Sequence, residues 1–366
     1  MKNIKFVDFN YQKKLNLNHF KNIKKIFNKT NFILGEEVGK FENLFAKFSG
    51  SKFAVGTSSG TDALFLALKC LNLKKNDEVI VPAHTFIATA LSVYHANCKI
   101  VLCDIDPHTL LIDIKKISKI ITKKTKVIVP VHLYGMGVDI VELRKIIGKR
   151  KISIVEDASQ AHGLNYFSNK VFKGEMSIFS LYPGKNLGAN GDAGIIITNK
   201  SEYHKKLKML RNWGGIKKYQ HNILGYNMRM DTIQAAILNE KLKKLNEWTF
   251  ERRKIARYYN KSLANISELE ISHNYKNDHV YHLYVILSNK RDKLQKYLKS
   301  KKIDTIIHYP KPIHRHLAFK EQNFYKNKFN FAEKVTKECL SIPIYPGMKK
   351  NLQKKIIFEI SNFFKR

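Results

Sequence analysis

Cysteine is scarce in this chain, with four in 366 residues: Cys70, Cys98, Cys103 and Cys339. None stands in a CxxC pair and each lies in or beside an apolar run, which argues against a disulfide framework or a cysteine metal site and for buried thiols in a reducing compartment. No metal is expected. An apolar signal core is missing from Met1-Lys2-Asn3-Ile4-Lys5-Phe6-Val7-Asp8, and the most apolar later stretches are broken by His, Pro or Asp short of membrane-spanning length. A cytoplasmic protein without a membrane partner is the expectation. Internal repeats and low-complexity linkers are absent as well.

Acidic residues are few, 30 against 66 Lys and Arg, for a formal net charge of +36. Such an excess ordinarily points to nucleic acid or an acidic membrane surface. The lysines, however, are spread over nearly every predicted helix, as in Lys24-Lys25, Lys115-Lys116, Lys205-Lys206, Lys243-Lys244 and Lys349-Lys350. No arm or recognition helix concentrates them, so a solvated lysine-rich surface is expected and a nucleic-acid partner is not. The positive field would still attract an anionic small molecule such as a nucleotide diphosphate.

What is present is a globular pattern, 44% hydrophobic and 11% aromatic, with apolar blocks between polar turns. After an N-terminal helical arm comes a strand at Phe53-Ala54-Val55. A small-residue turn, Gly56-Thr57-Ser58-Ser59-Gly60-Thr61-Asp62, then opens an apolar helix from Ala63 to Leu71. Asp62 in the first helical turn suits the positive end of the dipole, and the small residues before it leave backbone N–H groups accessible to a phosphate. Apolar β-branched blocks recur at 79–81, 100–102, 127–129, 152–155 and 195–197, separated by helical stretches. Continuously apolar strands alternating with helices predict an α/β fold, a three-layer large domain on a mostly parallel sheet, with ligand-binding residues at the strands' carboxyl ends. From about Lys241 the pattern changes to a long charged helix, a strand-like 282–287 and a helix over 291–299. This predicts a smaller α+β domain over 246–366, after an arm and large domain over 1–245.

Two further segments carry chemistry. Glu156-Asp157-Ala158-Ser159-Gln160-Ala161-His162-Gly163 follows a buried strand, so the Asp157 carboxylate emerges where it could pair with a cationic ring nitrogen; capping of a following helix is the alternative. Lys185 lies in Ser180-Leu181-Tyr182-Pro183-Gly184-Lys185-Asn186-Leu187-Gly188. A lysine in so basic a chain is a surface charge by default, yet the Pro-Gly turn and uncharged neighbours suit a partly desolvated, nucleophilic amine. A small-residue turn for a phosphate, a carboxylate for a pyridinium and an amine for an aldehyde together describe a site for pyridoxal 5'-phosphate.

In their order, and with 31–35, 81–86, 130–135, 225–231 and 307–310, these segments resemble the DegT/StrS family of sugar aminotransferases over almost the whole chain. The resemblance implies a fold-type I aminotransferase. Lys185 would bond the cofactor aldehyde, Asp157 would pair with the ring nitrogen, and Gln160 would contact the ring hydroxyl. Gly60, Thr61 and Ser180 would bind the phosphate and Phe86 would stack on the ring, with ordinary core packing as the alternative for Phe86. Asn227 would reach the cofactor phosphate of a neighbouring subunit, implying a homodimer with shared active sites.

The lysine loop is more similar to that of members aminating C3 of a dTDP-linked keto sugar than to that of the C4 enzymes. Such members take nitrogen from L-glutamate to make a dTDP-3-amino-3,6-dideoxyhexose for surface glycans, with Tyr182, His308 and Tyr309 near the sugar. Met228, where serine is common, and Trp213, where histidine is frequent, depart from the family pattern and bear on substrate detail. Relatives that dehydrate the sugar carry histidine where Lys185 stands, so the lysine favours transamination. A C4 or UDP-sugar aminotransferase of the same family is the alternative, and a non-enzymatic basic regulatory protein on the same scaffold is a more remote one.

Overall fold

The computed structural model describes residues 3–217, 219–271, 279–324 and 328–365. Two N-terminal helices, α1 (Asn16–Lys29) and α2 (Glu36–Ser49), precede the first strand, β1 (Phe53–Thr57). There follow α3 (Gly60–Cys70), β2 (Glu78–Pro82), α4 (Ile87–His95), β3 (Lys99–Cys103), α5 (Ile114–Ile120), β4 (Thr125–Ile128), α6 (Ile140–Ile147), β5 (Ser153–Asp157), β6 (Met176–Ser180) and β7 (Gly194–Thr198). The side chains of Ser59, Asp113 and Asp139 accept from first-turn N–H groups and so fix the starts of α3, α5 and α6.

The strands form a seven-stranded sheet in the order β1-β7-β6-β5-β4-β2-β3. All pairings are parallel except those of β7, which runs antiparallel to both β1 and β6. Residues 181–193 between β6 and β7 contain no helix to cross a sheet face, so the chain returns directly beside β6. That return loop carries Lys185.

Alternation along the strands explains the three layers. Ile196 packs into a core with Leu64 and Leu68 of α3, whereas Ile195 and Ile197 join Phe41 and Phe45 of α2. Helices therefore cover both faces, as continuously apolar strands require.

After β7 come α7 (Ser201–Leu210), α8 (Thr232–Leu242), α9 (Leu245–Leu263), β8 (Tyr284–Leu287), α10 (Arg291–Ser300), α11 (Asn330–Glu338), β9 (Cys339–Ile342) and α12 (Lys350–Phe364). β8 and β9 make an antiparallel pair. Tyr259, Ile286, Leu298, Ile342 and Ile356 share a separate core there. Ile4 joins that core and its N–H donates to the Lys302 carbonyl at 2.8 Å, so the start of the chain crosses to the C-terminal part. All four cysteines are buried free thiols.

Candidate active site

The carboxyl ends of the parallel strands open into a cavity of about 450 Å³. Its sheet-side wall holds Gly60, Thr61, Phe86, Asp157, Gln160, Ser180, Tyr182 and Lys185, and the C-terminal part contributes Arg252, His282, His308, Tyr309 and Ile344. Ten of the sequence-predicted site residues thus surround one space. Asn227 does not line it; it is exposed and bridges to Asn212.

Asp157 is the last residue of β5 and 6% exposed. Its Oδ1 accepts from the Ser159 N–H at 3.1 Å and its Oδ2 from the Thr89 hydroxyl at 2.9 Å. No α-helix follows β5 before β6, so Asp157 caps none. The two donors fix the carboxylate at the cavity wall.

Lys185 follows the Pro183-Gly184 turn, its N–H donating to the Tyr182 carbonyl at 2.9 Å. Among the described residues, its Nζ has neither a hydrogen-bond nor an ion-pair partner. Burial pushes the amine down to about 8, and the Asp157 charge acts in the opposite direction. Neighbouring imidazoles are held neutral: burial and then the Lys185 charge lower His162 to about 3 and His308 to about 4. Lys185 and Asp157 therefore stand near neutral imidazoles, with Asp192 and Arg252 as the other charged residues on the cavity lining.

At the start of α3, Ser59 accepts from the Asp62 N–H at 3.1 Å. The N–H groups of Gly60 and Thr61, the orphan donors of a helix start, meet no partner among the described residues. Ser180, at the end of β6, stands against them so closely that a Cβ on Gly60 would lie 2.5 Å from the Ser180 Cβ. Two backbone donors, two hydroxyls and the helix dipole suit a phosphate. A ring nitrogen partner, an amine and a phosphate cradle in one cavity fit pyridoxal phosphate.

Gln160 has a fixed orientation. Its Oε1 accepts from the Tyr134 N–H at 2.5 Å and its Nε2 donates to the Tyr309 hydroxyl at 2.9 Å, leaving one amide hydrogen for a ligand. Tyr134 donates its hydroxyl hydrogen to the His308 carbonyl at 2.5 Å and accepts from His84 Nε2 at 2.7 Å. These bonds tie the sheet to the His308-Tyr309 segment. Phe86 and Tyr182, 53% and 58% exposed, form the rim, and the Phe86 ring lies 5.5 Å from that of Tyr309. Core packing does not describe so open a phenylalanine.

Thr89, Ser159, Arg252 and His282 were not anticipated from the sequence. Thr85 and Thr89, i and i+4 just after β2, were the available signal for a polar helical face. Arg252 and His282 reach the cavity only through tertiary packing. Neither variable family position lines it: Trp213 stacks under the Arg229 guanidinium at 4.1 Å, and the Met228 carbonyl accepts from the Ser58 N–H at 3.3 Å.

The DegT/DnrJ/EryC1/StrS aminotransferase family profile matches residues 14–361. A "pleiotropic regulatory protein" of Geobacillus stearothermophilus is 39% identical, covering 93% of this chain and 92% of its own length. The dTDP-3-amino-3,6-dideoxy-alpha-D-galactopyranose transaminase of Aneurinibacillus thermoaerophilus is 37% identical over 98% of this chain and 99% of its own. Among solved structures, S. venezuelae DesV in complex with a ketimine intermediate superposes with a TM-score of 0.96 at 34% identity, covering 100% of both chains. The chain belongs to the DegT/DnrJ/EryC1/StrS aminotransferase family, a family of pyridoxal-phosphate-dependent aminotransferases of nucleotide sugars.

Proposed function

We propose that this enzyme transfers the amino group of L-glutamate to C3 of a dTDP-linked 3-keto-6-deoxyhexose, yielding a dTDP-3-amino-3,6-dideoxyhexose for a surface glycan. The observation that carries the reading is the placement of the unpartnered Lys185 amine in the same cavity as the Asp157 carboxylate and the open start of α3. When bound, pyridoxal phosphate supplies an aldehyde that captures amines and a protonated ring that takes up the electron pair released at the adjacent carbon.

The chain's residues then have distinct tasks. Lys185, lowered to about 8, would hold the cofactor through its amine and, as a free amine, would carry a proton on Nζ beside the reacting carbon. Asp157 keeps the ring nitrogen protonated by opposite charge. Gly60, Thr61 and Ser180 would hold the phosphate, Gln160 would offer its spare amide hydrogen to the ring hydroxyl, and Phe86 would stack on the ring. Tyr182, His308 and Tyr309 border the space left for the sugar. Asn227, outside the lining of its own cavity, would serve the cofactor phosphate of a second copy, which makes the working unit a homodimer. A division into residues 1–245 and 246–366 would put the cofactor chiefly on the first unit.

Incubation with glutamate and a panel of dTDP- and UDP-linked 3-keto and 4-keto sugars, read by mass spectrometry, tests the assignment. The dTDP-3-amino product is expected, together with parallel lines in double-reciprocal plots. Amination of only a 4-keto or UDP-linked sugar would contradict the finer reading. Steeply salt-sensitive nucleic-acid binding without turnover would instead favour a regulatory role.

A further inference from the structure

Outside the cavity lies a second lysine that is buried without a counter-ion. Lys241, on α8, is 2% exposed. Among the described residues it has no carboxylate partner. Its Nζ donates to the Gly188 carbonyl at 2.7 Å and to Asn190 Oδ1 at 2.8 Å, both in the loop that presents Lys185. Burial pushes this amine down to about 8. An ammonium is a costly way to fill a core position unless its donors are needed where they point.

The geometry gives those donors a purpose. Two helical turns earlier on α8, Gln234 Oε1 accepts from the Asn190 N–H at 2.9 Å. Asn190 is thus gripped twice by α8, through its backbone and through its side chain. Ala235, Leu238 and Leu242 of α8 meanwhile pack into the core beneath the sheet and make the helix a rigid support. On the other side, Asn186, next to Lys185, donates to the Val280 carbonyl at 3.1 Å. Between these anchors the loop folds back tightly, with the Ala189 N–H donating to the Leu181 carbonyl at 2.7 Å. A Cβ on Gly188 would lie 2.3 Å from the Pro183 carbonyl oxygen. So compact a loop transmits a displacement at Gly188 to Lys185 three residues away.

We infer that Lys241 is a positioning residue for Lys185: with Gln234 it clamps the 186–190 segment from behind and sets where the reactive amine stands. The inference rests on the proposed role of Lys185 and adds a residue that never touches the substrate. A misplacement of about 1 Å at a reacting group costs roughly 100-fold in rate.

The test uses the cofactor-loaded enzyme and the variants Lys241→Met, Lys241→Arg and Asn190→Ala. Lys241→Met is expected to lower kcat roughly 10- to 100-fold with KM for the keto sugar unchanged. It should also shift the pH midpoint of the visible absorbance of the Lys185-linked cofactor, and, without cofactor, speed amide exchange in peptides spanning 181–193. Lys241→Arg should recover part of both kcat and midpoint. If Lys241→Met folds, a wild-type kcat and midpoint overturn the inference. If it does not fold, Asn190→Ala decides, because that residue is exposed and its loss leaves the core intact. A midpoint shifted in this variant supports the clamp and an unshifted one overturns it. Borohydride trapping of wild-type enzyme separates the two claims: no adduct on Lys185 removes the proposed function itself, whereas a normal adduct with unaffected variants removes only the role of Lys241.

Discussion

The Thr89 hydroxyl donates a 2.9 Å hydrogen bond to Asp157 Oδ2, while the Thr85 hydroxyl lies 3.2 Å behind Thr89. Since Thr89 gives its hydrogen to the carboxylate, it accepts from Thr85, and the first turn of α4 with the residue before its cap makes a two-hydroxyl brace for the end of β5.

Removing that brace while keeping its shape should separate orientation from folding. Thr89→Val is expected to cost about 1 kcal/mol in urea unfolding and to lower kcat, whereas Thr89→Ser should retain most of both. Asp157→Asn should depress turnover far more than stability. A variant that melts early but turns over normally would assign Asp157 a structural role.

The lowered Lys185 amine predicts a pH dependence for cofactor capture. Cofactor-free protein mixed with pyridoxal phosphate should bond it faster as pH rises and level off above the midpoint near about 8, where the amine has lost its proton. An ordinary lysine would keep gaining toward about 10.4. Asp157→Asn removes the influence that raises the amine, so its midpoint should fall further. Stopped-flow absorbance measures both curves.

Close approach at the phosphate cradle makes Gly60→Ala informative. The added methyl would meet the Ser180 Cβ at 2.5 Å, so helix and strand must separate at a strain of about 1–3 kcal/mol. Equilibrium titration should show the Kd for pyridoxal phosphate raised roughly tenfold or more. An unchanged Kd would place the phosphate elsewhere.

Away from the cavity, Glu42 on α2 pairs with Arg211 at the end of α7, both nearly buried, and also accepts from the Gly56 N–H of β1 at 2.8 Å. Arg211→Met leaves the carboxylate buried without its cation and should destabilise by about 3–5 kcal/mol in urea unfolding. Adding Glu42→Gln should recover much of the loss, because the unpaired charge is then gone.

Much of this arrangement was legible in the residues. The β-branched blocks locate five of the seven strands of the large sheet, because burial on both faces leaves no polar alternation to obscure them. The turn around Gly60, the end of β5 and the Lys185 loop stand out because each breaks an apolar run with small or charged residues. Other features were hidden because they arise from pairing between distant segments. The reversed direction of β7 depends on what residues 181–193 fail to contain. β9 and the crossing of Ile4 to Ile303 exist only in the packed C-terminal part. Lys241 looks in the sequence like one more charge in Lys241-Leu242-Lys243-Lys244, and only the fold turns it inward while leaving Lys243 exposed.

The most direct measurement is reduction of the purified, pyridoxal-phosphate-saturated protein with borohydride, followed by digestion and mass spectrometry. A pyridoxyl adduct on the peptide containing Lys185, lost in Lys185→Ala together with turnover, is the predicted result. An adduct confined to another lysine, or none at all, would contradict the account.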